Sequence, residues 1–284
     1  MAIFIVLISI RMCVSYGSPL WSQVLSASEP SMIESTFIFL NGIAEKTERK
    51  LWQHGIATWQ TFLAADALPG ISRKRKPVHD EHVSRALDAK QKECAQYFAG
   101  CLKPCDQWRL YDWLRPRAVY LDIETSGGPF GDVTVVGLYA QGQMTSLVRG
   151  DTLTETRLRD ELARHDLIVT FFGSAFDLPY LQAKYPRLVL DQPHIDLCFV
   201  ARRLGLRGGL KRIERTVDIE RPSRLQGVDG WDAVRLWNRW RHGRDEAALE
   251  LLLAYNEADA ANLQPLADFL CDQLTQRYQP TRPQ

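Results

Sequence analysis

Three features that would each have indicated a class of protein are scarce in this sequence. Its 284 residues include only six cysteines, which are unevenly spaced. This excludes a disulfide framework and favours a reducing compartment. The formal net charge is +1, so a site for a polyanion must come from local basic clusters. The N-terminal apolar run, residues 2–10, is too short to span a bilayer. We therefore expect a cytoplasmic protein without a membrane partner.

The first residues also lack the marks of a secretion signal. No Lys or Arg precedes the apolar run, and no convincing small-x-small cleavage site follows it. Met32 opens a segment that resembles the start of a domain. We therefore expect residues 1–31 to be a poorly structured extension, which the native protein need not contain.

The remaining sequence has the composition of a folded protein, with 45% hydrophobic and 24% charged residues. Two similar turns, Leu-Asn-Gly-Ile at 40–43 and Leu-Pro-Gly-Ile at 68–71, each precede a charged segment. They predict paired hairpins in a small all-α module over residues 32–80. Residues 81–116 have helical character and are expected to form a connector.

From residue 117 onward, the pattern alternates between strands and helices. The strand-like segments are 118–123, 132–140, 144–149, 166–172 and 194–199. The helical segments are 154–165, 178–184, 210–217, 231–241 and 245–278. Three antiparallel strands followed by α/β units predict an α/β fold over residues 117–284, with a mixed sheet flanked by helices. We expect the helically spaced Trp231, Trp237 and Trp240 to pack in the core rather than to stack on bases.

Four acidic residues end or interrupt apolar stretches, where a carboxylate is costly to bury unless a cation compensates it. Asp122 and Glu124 are two apart on a strand and project from the same face. Asp177 follows a buried strand, at the kind of edge where open sheets build sites. Tyr255 and Asp259 share one face of a helix because they are four residues apart. The pattern predicts a site for two divalent ions, with Mg²⁺ favoured by the oxygen ligands and Tyr255 placed to hydrogen-bond an attacking water.

These segments resemble the three motifs of the DEDD superfamily of 3′–5′ exonucleases, which have the ribonuclease H-like fold. The motifs are Asp-Ile-Glu-Thr at 122–125, Gly-Ser-Ala-Phe-Asp-Leu-Pro-Tyr-Leu at 173–181, and Tyr-x-x-x-Asp at 255–259. The third motif is that of the tyrosine subclass. Residues 209–214 and 229–233 also resemble the YprB-like exonuclease group. The likeness extends over residues 117–275.

The resemblance implies a hydrolase that acts on the ends of DNA or RNA, with two Mg²⁺ or Mn²⁺ ions as cofactors. Asp122 would bridge both ions, Glu124, Asp177 and Asp259 would complete their ligand shells, and Tyr255 would act beside them in catalysis. One departure is Phe172, which stands where the second motif often has an asparagine. This departure puts one contact to substrate in question, but not the metal site.

Other interpretations of these residues are open at this point. Taken singly, Asp122 and Glu124 fit an exposed strand end, Asp177 a helix cap, and Asp259 a solvated helix position. The alternative functions are a non-catalytic nucleic-acid-binding adaptor on a nuclease fold and a ribonuclease H-type endonuclease. The endonucleases take their glutamate from a helix, so the Asp-Ile-Glu spacing favours an exonuclease. We expect a further carboxylate, Asp196, to be structural.

The first N-terminal turn resembles a helix-hairpin-helix motif, in which backbone N–H groups at the start of a helix meet a phosphate. Alanine replaces the usual second glycine of that motif. The basic run at 73–76 adds sequence-independent attraction to phosphates. The residues implied in nucleic-acid binding are Gly42, Ala44, Lys46, Thr47, Arg73 and Lys74. The alternative is a helical adaptor whose charges are solvated.

Overall fold

A mixed sheet forms the centre of the protein. The computed structural model describes residues 30–128 and 131–280. Within them the strands are β1 (Ala118–Thr125), β2 (Val133–Ala140), β3 (Gln143–Val148), β4 (Leu167–Thr170) and β5 (His194–Asp196). The order is β3-β2-β1-β4-β5, with antiparallel pairing of β1, β2 and β3 and parallel pairing of β1, β4 and β5. The predicted α/β fold, a mixed sheet with an antiparallel meander, is confirmed.

Helices flank the sheet and build the N-terminal region. In the described residues they are α1 (Glu45–Gln53), α2 (Trp59–Ala64), α3 (Lys76–Gln91), α4 (Ala95–Cys101), α5 (Tyr111–Leu114), α6 (Glu155–Leu162), α7 (Asp177–Lys184), α8 (Leu197–Arg203), α9 (Leu210–Thr216), α10 (Gly230–Gly243), α11 (Glu246–Ala261) and α12 (Leu263–Tyr278). Short 3-10 helices lie at Met32–Ser35, Pro104–Leu110, Arg115–Arg117 and Ser223–Leu225. None of the helices in this part of the chain is both long and apolar enough to cross a membrane.

The two faces of β1 meet different surroundings. Leu121 and Ile123 belong to a buried cluster that includes residues of α6 and α7. On the opposite face, Tyr120 enters a second core, and the Asp122 carboxylate meets Asn256 of α11. This alternation is the period of two that a strand imposes, and it turns the acidic residues of β1 towards α11.

Two predicted elements differ from the structure. The strand predicted over 194–199 ends at Asp196, because the Asp196 carboxylate accepts a hydrogen bond from the Cys198 N–H and caps α8 at this point. The helix predicted over 245–278 is two helices, α11 and α12, which meet at Asn262. Asparagine is a weaker helix former than the alanines that precede it.

The prediction that three tryptophans pack in the core is wrong for one of them. Trp237 is buried and Trp240 is half-buried, whereas Trp231 is 70% exposed. Six residues along a helix correspond to about 240° of rotation, so Trp231 and Trp237 lie on different faces of α10. Trp231 therefore projects into solvent from the first turn of this helix.

The N-terminal helices share a hydrophobic core with the sheet. Leu51 of α1 and Trp59 of α2 belong to the same buried cluster as Tyr120 of β1 and Leu270 of α12. Helix α3 runs through residue 80, where the N-terminal module was expected to end. The predicted extension, residues 1–31, lies outside the described residues except for its last two positions.

Candidate metal centre

Three carboxylates from distant parts of the chain converge at the sheet. Asp122 and Glu124 of β1 and Asp259 of α11 each offer an oxygen atom, and these atoms lie within 4.8 Å of one another. All three residues line a cleft of about 240 Å³, together with Tyr255 of α11 and Phe176. Glu124 and Asp259 are buried and Asp122 is half-buried. β1 supplies two of the carboxylates from one of its faces and α11 supplies the third, and the packing of this helix on the strand brings the acidic groups together.

Asn256 orients the first of these carboxylates. Its Nδ2 group donates to Asp122 Oδ2 (2.8 Å) and to the Asp122 carbonyl oxygen (3.3 Å), and the side chain is fully buried. Gly137 stands opposite Asp122 in β2, at a place where a Cβ atom would overlap Asn256 Oδ1. Neither residue was among the predicted site residues. A glycine inside a strand often marks the close approach of another group. Gly137, within the predicted strand 132–140, was therefore the feature of the sequence that could have indicated this contact.

Asp177 lies beside this cluster, outside the group of three. It is the first residue of α7, and its Oδ1 atom accepts a hydrogen bond from the Ile123 N–H of β1 (3.2 Å). The loop before Asp177 is held by Asp196, whose carboxylate accepts from the Phe172 N–H (2.7 Å) and the Ser174 N–H (3.1 Å). Asp196 therefore shapes the loop that presents Asp177, which is the structural role expected for it.

Two cationic side chains reach the site from one side. Lys211 of α9 donates from Nζ to the Tyr255 hydroxyl (3.0 Å), and its ammonium lies 4.5 Å from the centre of the Tyr255 ring. Arg221, in the segment after α9, forms an ion pair with Asp259. Tyr255 and Asp259 therefore each contact a cation. Arg221 was not predicted, because a residue in an irregular segment carries no periodic signal.

Burial and mutual repulsion raise the pKa values of the acidic groups. The pKa of Asp122 and that of Glu124 lie well above the ordinary range, first because burial desolvates the charged form and then because other carboxylates are close. Burial raises the pKa of Asp177 to about 7. Burial also raises the pKa of Asp259, although the charge of Arg221 opposes this effect. A cation would favour the charged forms, so the cluster is suited to a divalent ion with oxygen ligands.

The residues predicted to bind nucleic acid lie around two turns of the N-terminal region. Gly42 and Gly70 have positive φ angles of 75° and 83°. The Arg75 guanidinium donates to the Asn41 carbonyl and covers the first turn, whereas Gly70 faces only Thr47 of α1. The exposed members of the predicted set are Gly42, Ala44, Lys46, Arg73 and Lys74.

The sequence from β1 to α12 matches a known family. A family model described as the RNase_H superfamily matches residues 119–271, which is more than half of the chain. This chain belongs to the RNase H superfamily. The matched region of this RNase H superfamily protein includes all four of the predicted acidic ligands. A search of curated proteins found no match.

Two solved structures are similar to this RNase H superfamily chain. The family B DNA polymerase from the hyperthermophilic archaeon Pyrobaculum calidifontis is 19% identical with a TM-score of 0.47, over 57% of this chain and 25% of the polymerase. The Nibbler EXO domain of Aedes aegypti is 16% identical with a TM-score of 0.35, over 60% of this chain and 84% of that domain. The chain thus spans about a quarter of the length of the polymerase.

Proposed function

We propose that this RNase H superfamily protein is a metal-dependent nuclease that removes nucleotides from nucleic acid ends in the 3′–5′ direction. It would be a tyrosine-type DEDD exonuclease of the YprB-like group. The main support is the convergence of Asp122, Glu124 and Asp259, whose oxygens lie within 4.8 Å of one another. Such a group of like charges in a cleft is unfavourable unless a cation compensates it, and paired divalent ions on carboxylates suit phosphodiester hydrolysis.

The donor set fits Mg²⁺ or Mn²⁺, because every ligand is a carboxylate oxygen. When bound, two such ions supply positive charge to the attacking and leaving oxygens of a phosphodiester. Asp122, Glu124 and Asp259 would hold them, and Asp177 would complete the set from the start of α7, where its carboxylate lies against Ile123 of β1. Asn256 keeps the Asp122 carboxylate directed into the cleft through its Nδ2 hydrogen bond.

Tyr255 is the residue that would orient the attacking water. Burial raises the pKa of its hydroxyl, so the group keeps its proton at neutral pH. The hydroxyl accepts a hydrogen bond from Lys211 Nζ (3.0 Å), which fixes its position, and its own proton lies beside the Asp259 carboxylate. When a water enters the cleft, the hydroxyl would donate its hydrogen bond to that water. Lys211 also adds a positive charge beside the cleft, where negative charge develops on the phosphate.

We also propose a division of the chain by role. Residues 32–80 would form a nucleic-acid-binding module of the helix-hairpin-helix kind, residues 81–116 a connector, and residues 117–284 the nuclease domain. Contacts with phosphates would come from Gly42, Ala44, Lys46, Thr47, Arg73 and Lys74. Because Arg75 covers the first turn, the second turn with Arg73 and Lys74 is the more accessible of the two.

Stepwise degradation of a labelled strand tests the proposed activity. With Mg²⁺ or Mn²⁺, the protein should convert a 5′-labelled single strand into a ladder of shorter products. Glu124→Gln should lower the rate by roughly 100-fold or more, because it removes a charge needed at the reacting centre. Glu257→Gln makes the same change on an exposed face of α11 and should leave the rate unchanged. Equal rates for the wild type and Glu124→Gln would contradict the proposal.

The alternative functions give different results in the same assays. A ribonuclease H-type endonuclease would nick an RNA–DNA hybrid internally rather than shorten it from one end. A non-catalytic adaptor would bind nucleic acid without binding Mn²⁺. Parallel panels of DNA and RNA substrates would identify the nucleic acid and the strand polarity.

A further inference from the structure

Arg221 places a positive charge directly on one of the proposed cation ligands. Its Nη1 atom pairs with Asp259 Oδ1. Its Nε and Nη2 atoms donate to the two oxygens of Glu214 at 2.6 and 2.7 Å. The exposed fraction of the side chain is 11% for Arg221 and for Asp259, and 2% for Glu214. The contact is therefore largely shielded from water, where an ion pair is stronger than on the surface.

Glu214 holds the guanidinium in this position. It lies on α9 and accepts a further hydrogen bond from Asn262 Nδ2 (3.1 Å). A bidentate contact with a carboxylate fixes both the place and the orientation of a guanidinium. Arg221 is thus held against Asp259 by Glu214 of α9, which is itself fixed by Asn262 at the junction of α11 and α12, and it is not a surface side chain that reaches the site by chance.

The ion pair bears on how the acid cluster takes up a cation. While the guanidinium occupies Asp259 Oδ1, a divalent ion bound closely at that oxygen would be repelled by it. Arg221 also lines an adjoining cavity of about 770 Å³. This space allows the guanidinium to turn away from Asp259 without displacing core residues.

We propose that Arg221 is a positioning residue that serves as an internal counter-ion of the acid cluster. It holds Asp259 in place while no divalent cation is bound, and a cation displaces it from Asp259 Oδ1. Arg221 therefore weakens cation binding and stabilises the cation-free protein. This inference rests on the proposed function, because it assumes that the cluster of Asp122, Glu124 and Asp259 takes up a cation.

Mn²⁺ binding tests the inference without any measurement of activity. Free Mn²⁺ is measured by electron paramagnetic resonance during titration of the wild type and of Arg221→Met, which keeps an unbranched apolar stem and removes the charge. Arg221→Met should bind Mn²⁺ more tightly, on the order of tenfold, and should melt at a lower temperature in EDTA. Arg224→Met, an exposed arginine of the same segment, should match the wild type in both.

The affinity decides between a counter-ion and a merely structural arginine. If Arg221 only supported the fold, its loss would leave Mn²⁺ affinity unchanged or lower, and either result would overturn the inference. Arg221→Lys keeps a positive charge near Glu214 and is the second test variant if Arg221→Met does not fold. Arg221→Lys should also bind Mn²⁺ more tightly than the wild type. If neither the wild type nor the variants bind Mn²⁺, the proposed function fails as well. Equal binding by the wild type and the variants overturns the inference alone.

Discussion

At the scale of single residues, the geometry of the acid cluster depends on a position with no side chain. Gly137 of β2 leaves the space that Asn256 Oδ1 occupies, and Asn256 in turn orients Asp122. Gly137→Ala should force Asn256 away, cost about 1–3 kcal/mol of stability as overpacking does, and weaken Mn²⁺ binding. Urea unfolding and Mn²⁺ titration measure the two effects. Gly100→Ala, where a Cβ meets nothing within 4 Å, should cause neither, and the same result for both variants would contradict this account.

The raised pKa values predict how stabilisation by Mg²⁺ depends on pH. Burial raises the pKa of Asp177 from 3.8 to about 7, so without a cation its contribution to stability falls as the pH rises through this range. Cation binding requires the deprotonated carboxylates. The gain in Tm on adding Mg²⁺ should therefore be small at about pH 5.5 and larger at about pH 8.

The pH dependence of this increase in Tm should come from the acid cluster and not from other titrating groups of the protein. The difference in Tm with and without Mg²⁺ cancels groups that titrate alike in both conditions, such as His194, whose pKa burial lowers to about 4. In Glu124→Gln, most of the increase in Tm on adding Mg²⁺ should be lost. In Glu257→Gln, the increase should equal that of the wild type. A gain that is the same at both pH values would show that the cation binds elsewhere.

At the scale of secondary structure, periodicity predicted pairs of site residues but not their partners. The period of two placed Asp122 and Glu124 on one face of β1, and the helical period placed Tyr255 and Asp259 on one face of α11. These are local regularities, and the structure preserves them. Arg221 enters the site only because the segment after α9 packs beside α11, and such a tertiary contact leaves no periodic trace. The resemblance to known motifs, rather than periodicity, connected the two pairs in advance.

The first residues of α10 lie beside the cleft, and the cap of this helix can be tested by mutation. Asp229 caps this helix by accepting hydrogen bonds from the Trp231 N–H (2.8 Å) and the Asp232 N–H (3.0 Å), and the next residue, Gly230, lines the cleft. Asp229→Ala should cost roughly 0.5–2 kcal/mol, the usual loss for a helix N-cap. Asp229→Asn retains a capping oxygen and should be nearly neutral. Urea unfolding measures both, and an alanine variant as stable as the wild type would contradict the role of the cap.

At the scale of the whole molecule, the N-terminal region and the sheet are joined by one buried core. A buried ion pair reinforces this core: Glu48 of α1 lies 2.9 Å from Arg109, and both side chains are almost fully enclosed. Glu48 also accepts a hydrogen bond from the Phe37 N–H (2.6 Å). The division into a nucleic-acid-binding module and a nuclease domain is thus a division of roles, while the packing indicates a single unit of stability.

Loss of the buried pair should therefore destabilise the cation site as well as the N-terminal helices. Glu48→Gln leaves the Arg109 charge buried without a partner carboxylate, which should cost about 3–5 kcal/mol. Glu81→Gln removes one partner of an exposed pair with Arg85 and should change stability by about 0.5 kcal/mol or less. In urea, tryptophan fluorescence and the release of bound Mn²⁺ should follow one transition, which Glu48→Gln shifts to lower urea. Two separate transitions, with the Mn²⁺ site unaffected by Glu48→Gln, would show instead that the N-terminal helices unfold on their own.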